Sequence, residues 1–375
     1  MRRDKLHPLL TRPIEVSSGV AGVERPGALL DIVPDRGEVL YELANTHIVS
    51  ARQFNHDLLV QLCRLGATFE AKPALMHQPL AGKILITAFY EPSTRTRASF
   101  ESAWHRLGGD IISITDPATT GIAKGESLGD VAEMFSNYGD IMVLRDNRED
   151  SIYNMLDRLR IPIINAGNGV DEHPTQALAD LYTILKWRPD LAMPGALSGP
   201  KIRLGIIGTP NRMRTVRSLL MLLTLISYAI EEVVVINPMD NVFDFDQIKE
   251  LEGGGLNLRR ESYIKDVLPE LDVVYINSIA WVGDTFEKLT GDLELSAASP
   301  LKSDAIILHP LARGEELDES LDTTPHNWYF AQARGAVFLR MALLTCLVQR
   351  IQRVADVAPP PPTEDGNGNG NGHKE

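Results

Sequence analysis

Eight short apolar runs, separated by helix-patterned segments, constrain this chain more than any other feature. They read KILITAFY, DIISIT, DIMVLR, IPIINAG, IRLGIIG, EEVVVINP, LDVVYINS and DAIILHP. Runs of that length, rich in Ile and Val, are strands. Near-continuous apolar strands need cover on both faces, which predicts parallel sheets with helices above and below. The alternation breaks at KWRPDLAMPGALSGPK (186–201), where Pro and Gly cluster. The expected fold is therefore α/β, with two doubly wound parallel-sheet domains over 40–187 and 188–325. A last helix over 326–355 is expected to pack back on the first domain.

The two ends differ from this body. Residues 1–39 mix polar and apolar positions without a sustained period and read as an extension with no assigned structure. Residues 356–375, DVAPPPPTEDGNGNGNGHKE, cannot bury apolar surface and are expected to form a disordered tail. The stretch SLLMLLTLISYAI (218–230) is too short for a bilayer and reads as a buried helix. The N-terminal residues lack an apolar core, so neither secretion nor a membrane is indicated. Two cysteines, Cys63 and Cys346, give no disulfide framework and no metal cluster, in keeping with a reducing cytoplasm. A net charge of −13 argues against nonspecific nucleic-acid binding. Such a chain binds an anion only where it gathers cations locally.

One such place is ITAFYEPSTRTRASFESAWHRLG (86–108). Pro92 stops a strand, and Phe100, Ala103, Trp104 and Leu107 then repeat at helical spacing. Ser93, Thr94, Arg95 and Thr96 thus fall where a strand's carboxyl end meets a helix N-terminus, the ligand crevice of open α/β sheets. Free N–H groups and the helix dipole favour an anion there, and hydroxyls with a guanidinium suit a phosphate. An N-capping cluster with solvated arginines fits the same residues; the strand–turn–helix context favours the anion. No glycine-rich P-loop is present, so a nucleoside triphosphate is not the natural ligand.

FYEPSTRTRASFE resembles the carbamoyl-phosphate signature of the aspartate/ornithine carbamoyltransferase family, F-x-E-x-S/T-x-R-T. The resemblance implies that further segments belong to the same site. In TTGIAKGESLGD, Lys124 and Thr120 match a lysine and a hydroxyl that reach into a neighbouring subunit, implying a homotrimer with shared sites. Arg145, at the end of DIMVLR, matches an arginine on the phosphate and carbonyl oxygen. His173 and Gln176, in HPTQ before a helix, match the carbamoyl clamp. Pro310 and Leu311, in HPLAR, match a loop whose backbone carbonyls face the amine. Ala312 stands in place of a second proline, which implies a looser loop. Arg95, Thr96, Lys124, Arg145 and His173 would then serve catalysis. Carbamoyl phosphate carries its own leaving group, so attack by an amine needs positioning and charge neutralisation, with no protein nucleophile, metal or cofactor.

The acceptor half matches less well. Arg214 and Thr215 correspond to the family's carboxylate-binding pair. The family's aspartate branch usually reads Y-x-x-R-x-Q-x-E-R, but YINSIAWVGDTFEKL has Ser278 and Ala280 at the arginine and glutamine positions. Losing one charge-assisted bond to a carboxylate costs about 1.5–3 kcal/mol, so Arg212, Arg217 or Arg313 would have to substitute. The resemblance implies carbamoyl transfer to L-aspartate in pyrimidine synthesis, with regulatory or other pathway subunits as possible partners. Another amine acceptor, or a noncatalytic member of an assembly, are the competing readings.

Overall fold

The computed structural model describes Gly22 and residues 25–73, 78–277, 281–282, 285–286 and 293–348. In the first domain, β1 (Ile84–Phe89), β2 (Asp110–Ile114), β3 (Ile141–Asp146) and β4 (Ile163–Asn168) pair in parallel in the order β2-β1-β3-β4. Around them lie α1 (Pro26–Ile32), α2 (His56–Ala71), α3 (Thr94–Arg106), α4 (Leu128–Tyr138), α5 (Tyr153–Leu156) and α6 (Pro174–Trp187).

The second domain contains β5 (Ile202–Ile207), β6 (Ile230–Ile236), β7 (Leu258–Glu261), β8 (Val273–Ile276), a short β9 (Trp281–Val282)–β10 (Thr285–Phe286) hairpin and β11 (Ile306–Leu308). Its main sheet is parallel, ordered β11-β8-β5-β6-β7. With it come α7 (Arg214–Thr224), α8 (Phe245–Gly253), α9 (Ile264–Val267) and finally α10 (Tyr329–Leu347). Each sheet reverses its winding once, between β1 and β3 and between β5 and β8. Ligands of doubly wound folds bind outside the strands' carboxyl ends at such points.

All eight apolar runs are strands. β7 is an additional one, and its sequence LRRE hides it. It is a sheet edge, where charged side chains are tolerated and guard against further pairing. Residues 218–230 are not one helix: α7 ends at Thr224, whose hydroxyl donates back to the Met221 carbonyl, and Ile230 already opens β6. Within the extension, residues 25–39 are described and include a helix that its composition does not announce. Pro26 occupies the first turn of α1, where a missing N–H costs nothing. Leu29 and Val33, four residues apart, sit in the main core. The tail at 356–375 lies outside the described residues.

α10 is long and apolar enough to cross a membrane by length and composition alone, yet most of it is buried within the protein. It packs on α2, α3 and α6, returning the chain to the first domain. The contact includes charges. Lys186 on α6 donates to Glu70 on α2 at 2.9 Å, both side chains fully buried. The Tyr182 hydroxyl donates to the same carboxylate oxygen at 2.8 Å, and Arg334 on α10 stands 3.6 Å from the other. Removing one member of a buried pair strands the other charge, at roughly 3–5 kcal/mol. Lys186→Met should therefore lower stability by about 3 kcal/mol or more, read as a clear fall in the urea midpoint, whereas an unchanged midpoint would show that Tyr182 and Arg334 alone suffice for Glu70.

Candidate active site

The loop from β1 to α3 carries the first group of candidates. Ser93 is the N-cap of α3, but its side chain makes no capping hydrogen bond. Its hydroxyl and the first N–H groups of α3 are left for a ligand, as helix N-termini allow. Thr96 is buried against the fold, whereas Thr94 and Arg95 are exposed. Among the described residues, no ion pair engages Arg95.

Glu91, two residues before Ser93, brings the two domains together. Its Oε1 accepts from Arg145 Nη2 at 2.6 Å and from Arg214 Nη2 at 2.8 Å, and its Oε2 accepts from Arg214 Nη1 at 3.1 Å. Arg145 is the last residue but one of β3 in the first domain, and Arg214 opens α7 in the second. Arg214 also donates to the Gly169 carbonyl at 2.6 Å. Burial would raise the Glu91 carboxyl, but hydrogen bonds and charge from Arg214 and Arg145 outweigh it and hold the group below the usual range. Burial, with Arg214's charge alongside, pushes the Arg145 guanidinium down to about 10. Its Nε is buried without a partner. Two cations with spare donors, facing each other across one carboxylate, form a site that an anion would relieve.

His173 caps α6 beside them. Gly167, at φ +111°, keeps the approach open: a Cβ there would lie 3.0 Å from Arg214 Nε and 3.4 Å from His173 Cδ2. The His173 backbone N–H donates to Ser218 Oγ at 3.0 Å, and Ser218 donates to Glu172 at 3.1 Å. The imidazole is almost fully buried and its Nδ1 has no partner. Burial, then the charges of Arg145, Arg214 and Arg340, hold its pKa well below 6.5. A neutral ring donates one proton without competing for the anion. One turn on, Gln176 donates its Nε2 to Asp180 at 2.7 Å, which leaves Oε1 to accept.

The acceptor side is built at the second winding reversal. The Thr215 hydroxyl accepts from Asn277, just beyond β8, at 3.1 Å. Pro310 and Leu311 follow β11. Leu311 N donates to His309 Nδ1 at 2.8 Å, His309 N donates to Gln332 on α10 at 2.8 Å, and His309 Nε2 meets Glu316 at 2.9 Å. With Ala312 in place of proline the loop is thus held by hydrogen bonds at several points. The substitute cations are engaged elsewhere. Arg313 forms a two-pronged pair with Asp322, and Arg217 pairs with Asp244 at 2.9 Å. Arg212 is exposed and has a partner of its own. Ser278 and Ala280 lie outside the described residues.

Glu91 thus joins Arg145 to Arg214, Gly167 lies beside both Arg214 and His173, Ser93–Thr96 follow Glu91 in the same loop, and Gln176 is one turn after His173. Thr120 and Lys124 do not join them: among the described residues, no hydrogen bond or ion pair links either to the cluster. The Thr120 hydroxyl donates to the Pro117 carbonyl and caps the turn holding Lys124, whose side chain is exposed. Glu91 and Asp180 are members that motif reading passes over. Glu91 stood inside the quoted motif, and Asp180 lies four residues after Gln176, one helical turn on the same face.

A pH dependence follows from His173. Its folded pKa is depressed, so below 6.5 the unfolded chain takes up a proton that the folded chain refuses. Stability from this group is complete above 6.5 and lost as pH falls. Denaturation of wild type and His173→Asn at pH 7.5 and 5.5 should show a smaller acid loss in the variant; equal losses would mean that the ring charges in the folded state.

Comparison with known proteins identifies the family. Residues 46–186 match the family model described as the aspartate/ornithine carbamoyltransferase carbamoyl-P binding domain, and residues 200–347 match its Asp/Orn binding domain. The aspartate carbamoyltransferase catalytic subunit of Methanopyrus kandleri is 36% identical over 313 residues, 81% of this chain and 98% of that protein. That of Pyrobaculum islandicum is 38% identical over 308 residues, 80% of this chain and 98% of its own length. The Trypanosoma cruzi aspartate transcarbamoylase solved with carbamoyl phosphate and aspartate superposes with a TM-score of 0.74 at 31% identity, covering 82% of this chain and 98% of that one. With both halves matched, the chain belongs to the aspartate/ornithine carbamoyltransferase family.

Proposed function

We propose that this chain transfers the carbamoyl group of carbamoyl phosphate to L-aspartate, giving N-carbamoyl-L-aspartate and phosphate, the step that commits aspartate to pyrimidine synthesis. The observation that carries the reading is the Glu91-centred pairing of Arg145 with Arg214, which sets a first-domain anion site against a second-domain one. The phosphate belongs at the N-terminus of α3, held by Ser93, Thr94, Arg95 and Thr96 and by Arg145. His173 and Arg145 donate to the carbonyl oxygen as it gains charge in the tetrahedral intermediate. Gln176 Oε1 and the carbonyls of Pro310 and Leu311 take the carbamoyl NH2 and the incoming amine. Arg214, with Thr215 beside it, binds a carboxylate of the acceptor. The amine attacks the carbonyl carbon, the C–O bond to phosphate breaks, and the departing phosphate takes the amine's proton.

Relatives solved with carbamoyl phosphate, with aspartate and phosphate, and with N-(phosphonacetyl)-L-aspartic acid support this assignment. Lys124, exposed on its loop, and half-buried Thr120, neither hydrogen-bonded to the chain's own cluster, suit a site completed by a neighbouring copy, so the active unit is a homotrimer. Buried, unpaired Cys63 and Cys346 are at ease in a reducing cytoplasm. One observation favours a second reading of the acceptor: with Ser278 and Ala280 in place of Arg and Gln, and Arg217 and Arg313 engaged by Asp244 and Asp322, the second carboxylate of aspartate lacks its usual partners. An amino acid with one carboxylate is then the competing acceptor.

Phosphate release and ureido-product mass across a panel of amines, with L-aspartate at low and high concentration, decide between the two. Efficient turnover of aspartate supports the first reading; turnover of another amine alone replaces it. Arg95→Ala should lower kcat by at least about a hundredfold, as loss of a transition-state donor does, and near-normal activity would remove Arg95 from the site. Ser278→Arg with Ala280→Gln should lower the KM for aspartate; no change would mean that the surrounding loop binds it differently. For the shared site, mixing inactive Arg95→Ala and Lys124→Ala chains after dissociation and reassembly should restore part of the activity, whereas no recovery would confine each site to one chain.

A further inference from the structure

Asp180 receives hydrogen bonds from three elements at once. Its Oδ1 accepts from Gln176 Nε2 at 2.7 Å, on its own helix α6, and from Gln332 Nε2 at 2.6 Å, on α10. Its Oδ2 accepts from the Tyr275 hydroxyl at 2.9 Å, on β8. Gln332 passes the contact on, since its own carbonyl oxygen accepts from His309 N at 2.8 Å. His309 in turn holds Leu311 N at 2.8 Å. One carboxylate thus joins the carbamoyl clamp of the first domain to the loop of the second.

We propose that Asp180 is a positioning residue for carbamoyl transfer: it sets the amide orientation of Gln176 and, through Gln332 and His309, the Pro310–Leu311 carbonyls, so that acceptors from both domains face the carbamoyl NH2 together. The inference rests on the carbamoyltransferase reading given above. The physical basis is the ambiguity of a glutamine amide. Its two orientations have nearly the same shape, but one presents an oxygen and the other an N–H. The carbamoyl NH2 can only donate, so the wrong orientation would repel it. An ionised carboxylate only accepts, which forces Nε2 of both glutamines toward Asp180 and both oxygens away from it. A neutral partner such as serine would leave both orientations open.

The cost of this arrangement argues against a purely structural role. Asp180 has no exposed surface, and every residue of α6 around it is buried. Burial pushes its carboxyl up to about 6 although Gln332, Gln176 and Tyr275 all donate to it. A well-packed apolar side chain would serve a buried helix at least as well if stability alone were at stake. What an apolar side chain lacks is the ability to orient two amides.

The test is steady-state kinetics with carbamoyl phosphate and L-aspartate, alongside calorimetric binding of inorganic phosphate to each variant. Asp180→Ala should lower kcat about ten- to a hundredfold, the scale set by small errors in positioning, while phosphate affinity stays within about threefold because α3 and Arg145 are untouched. Asp180→Asn keeps the shape but can present either face of its own amide, so both glutamines are free to turn, and it should lower kcat nearly as much as Asp180→Ala with phosphate affinity intact. Adding Asp180→Ala to the pair Gln176→Ala, Gln332→Ala should cost little more than the pair alone, since Asp180 acts through those two glutamines. Wild-type kcat in Asp180→Ala, or losses that add in the triple variant, would overturn the inference. If Asp180→Ala fails to bind phosphate because it does not fold, Gln332→Ala still decides the matter. It should lower kcat with phosphate binding intact, and an unchanged kcat would overturn the link to the loop. Failure of the parent reading is separate: the wild-type chain itself would carbamoylate no amine.

Discussion

Glu91 is the contact on which the site depends. Arg145 and Arg214 come from different domains and are half-buried, and each would repel the other without a shared counter-ion. The carboxylate lets the two guanidiniums approach, at a price visible in Arg145, whose pKa is drawn down to about 10. The pairing is therefore strong enough to define the cleft and strained enough to yield to an anion. Carbamoyl transfer asks for that balance. A phosphate and a carboxylate must arrive on facing walls, and the cations that receive them must already be aimed.

A second link keeps those walls in register. Glu172, next to His173, accepts from Ser50 at 2.6 Å, Ala51 N at 2.8 Å, Arg52 at 2.7 Å and Ser218 at 3.1 Å. Ser218 stands one turn after Arg214, so the carbamoyl clamp and the acceptor arginine are fixed by neighbouring residues. Arg52 continues across to Glu250 on α8 with two bonds of 2.7 Å. Behind this polar seam, α10 and the Glu70–Lys186 pair anchor α6, whose N-terminus carries His173. Rigidity below the site lets small, well-placed donors act above it.

Much of this was legible in the residues themselves. The eight strands announced themselves because parallel strands are apolar on both faces, and Pro92 marked where β1 stops. The edge strand β7 did not, because an edge position permits LRRE where a central strand would not. The helix in the extension was hidden by its length, since seven residues give barely two turns of pattern. In the site, charged motif residues were visible while their partners were not. Glu91 pairs with residues 54 and 123 positions away, and Asp180 with one 152 positions away; no local spacing reports such contacts. Arg217 and Arg313 seemed available as substitutes for the same reason, because only the fold reveals Asp244 and Asp322 beside them.

The central claim is that one ligand can touch both arginines that Glu91 holds together. N-(phosphonacetyl)-L-aspartic acid joins a phosphonate to aspartate in one molecule, so its calorimetric binding to wild type, Arg145→Ala and Arg214→Ala tests that claim directly. The account predicts one tight site per chain in the wild type and a loss of at least about tenfold in each variant, the worth of a charge-assisted bond. Undiminished binding in Arg214→Ala, or no binding to the wild type, would contradict it.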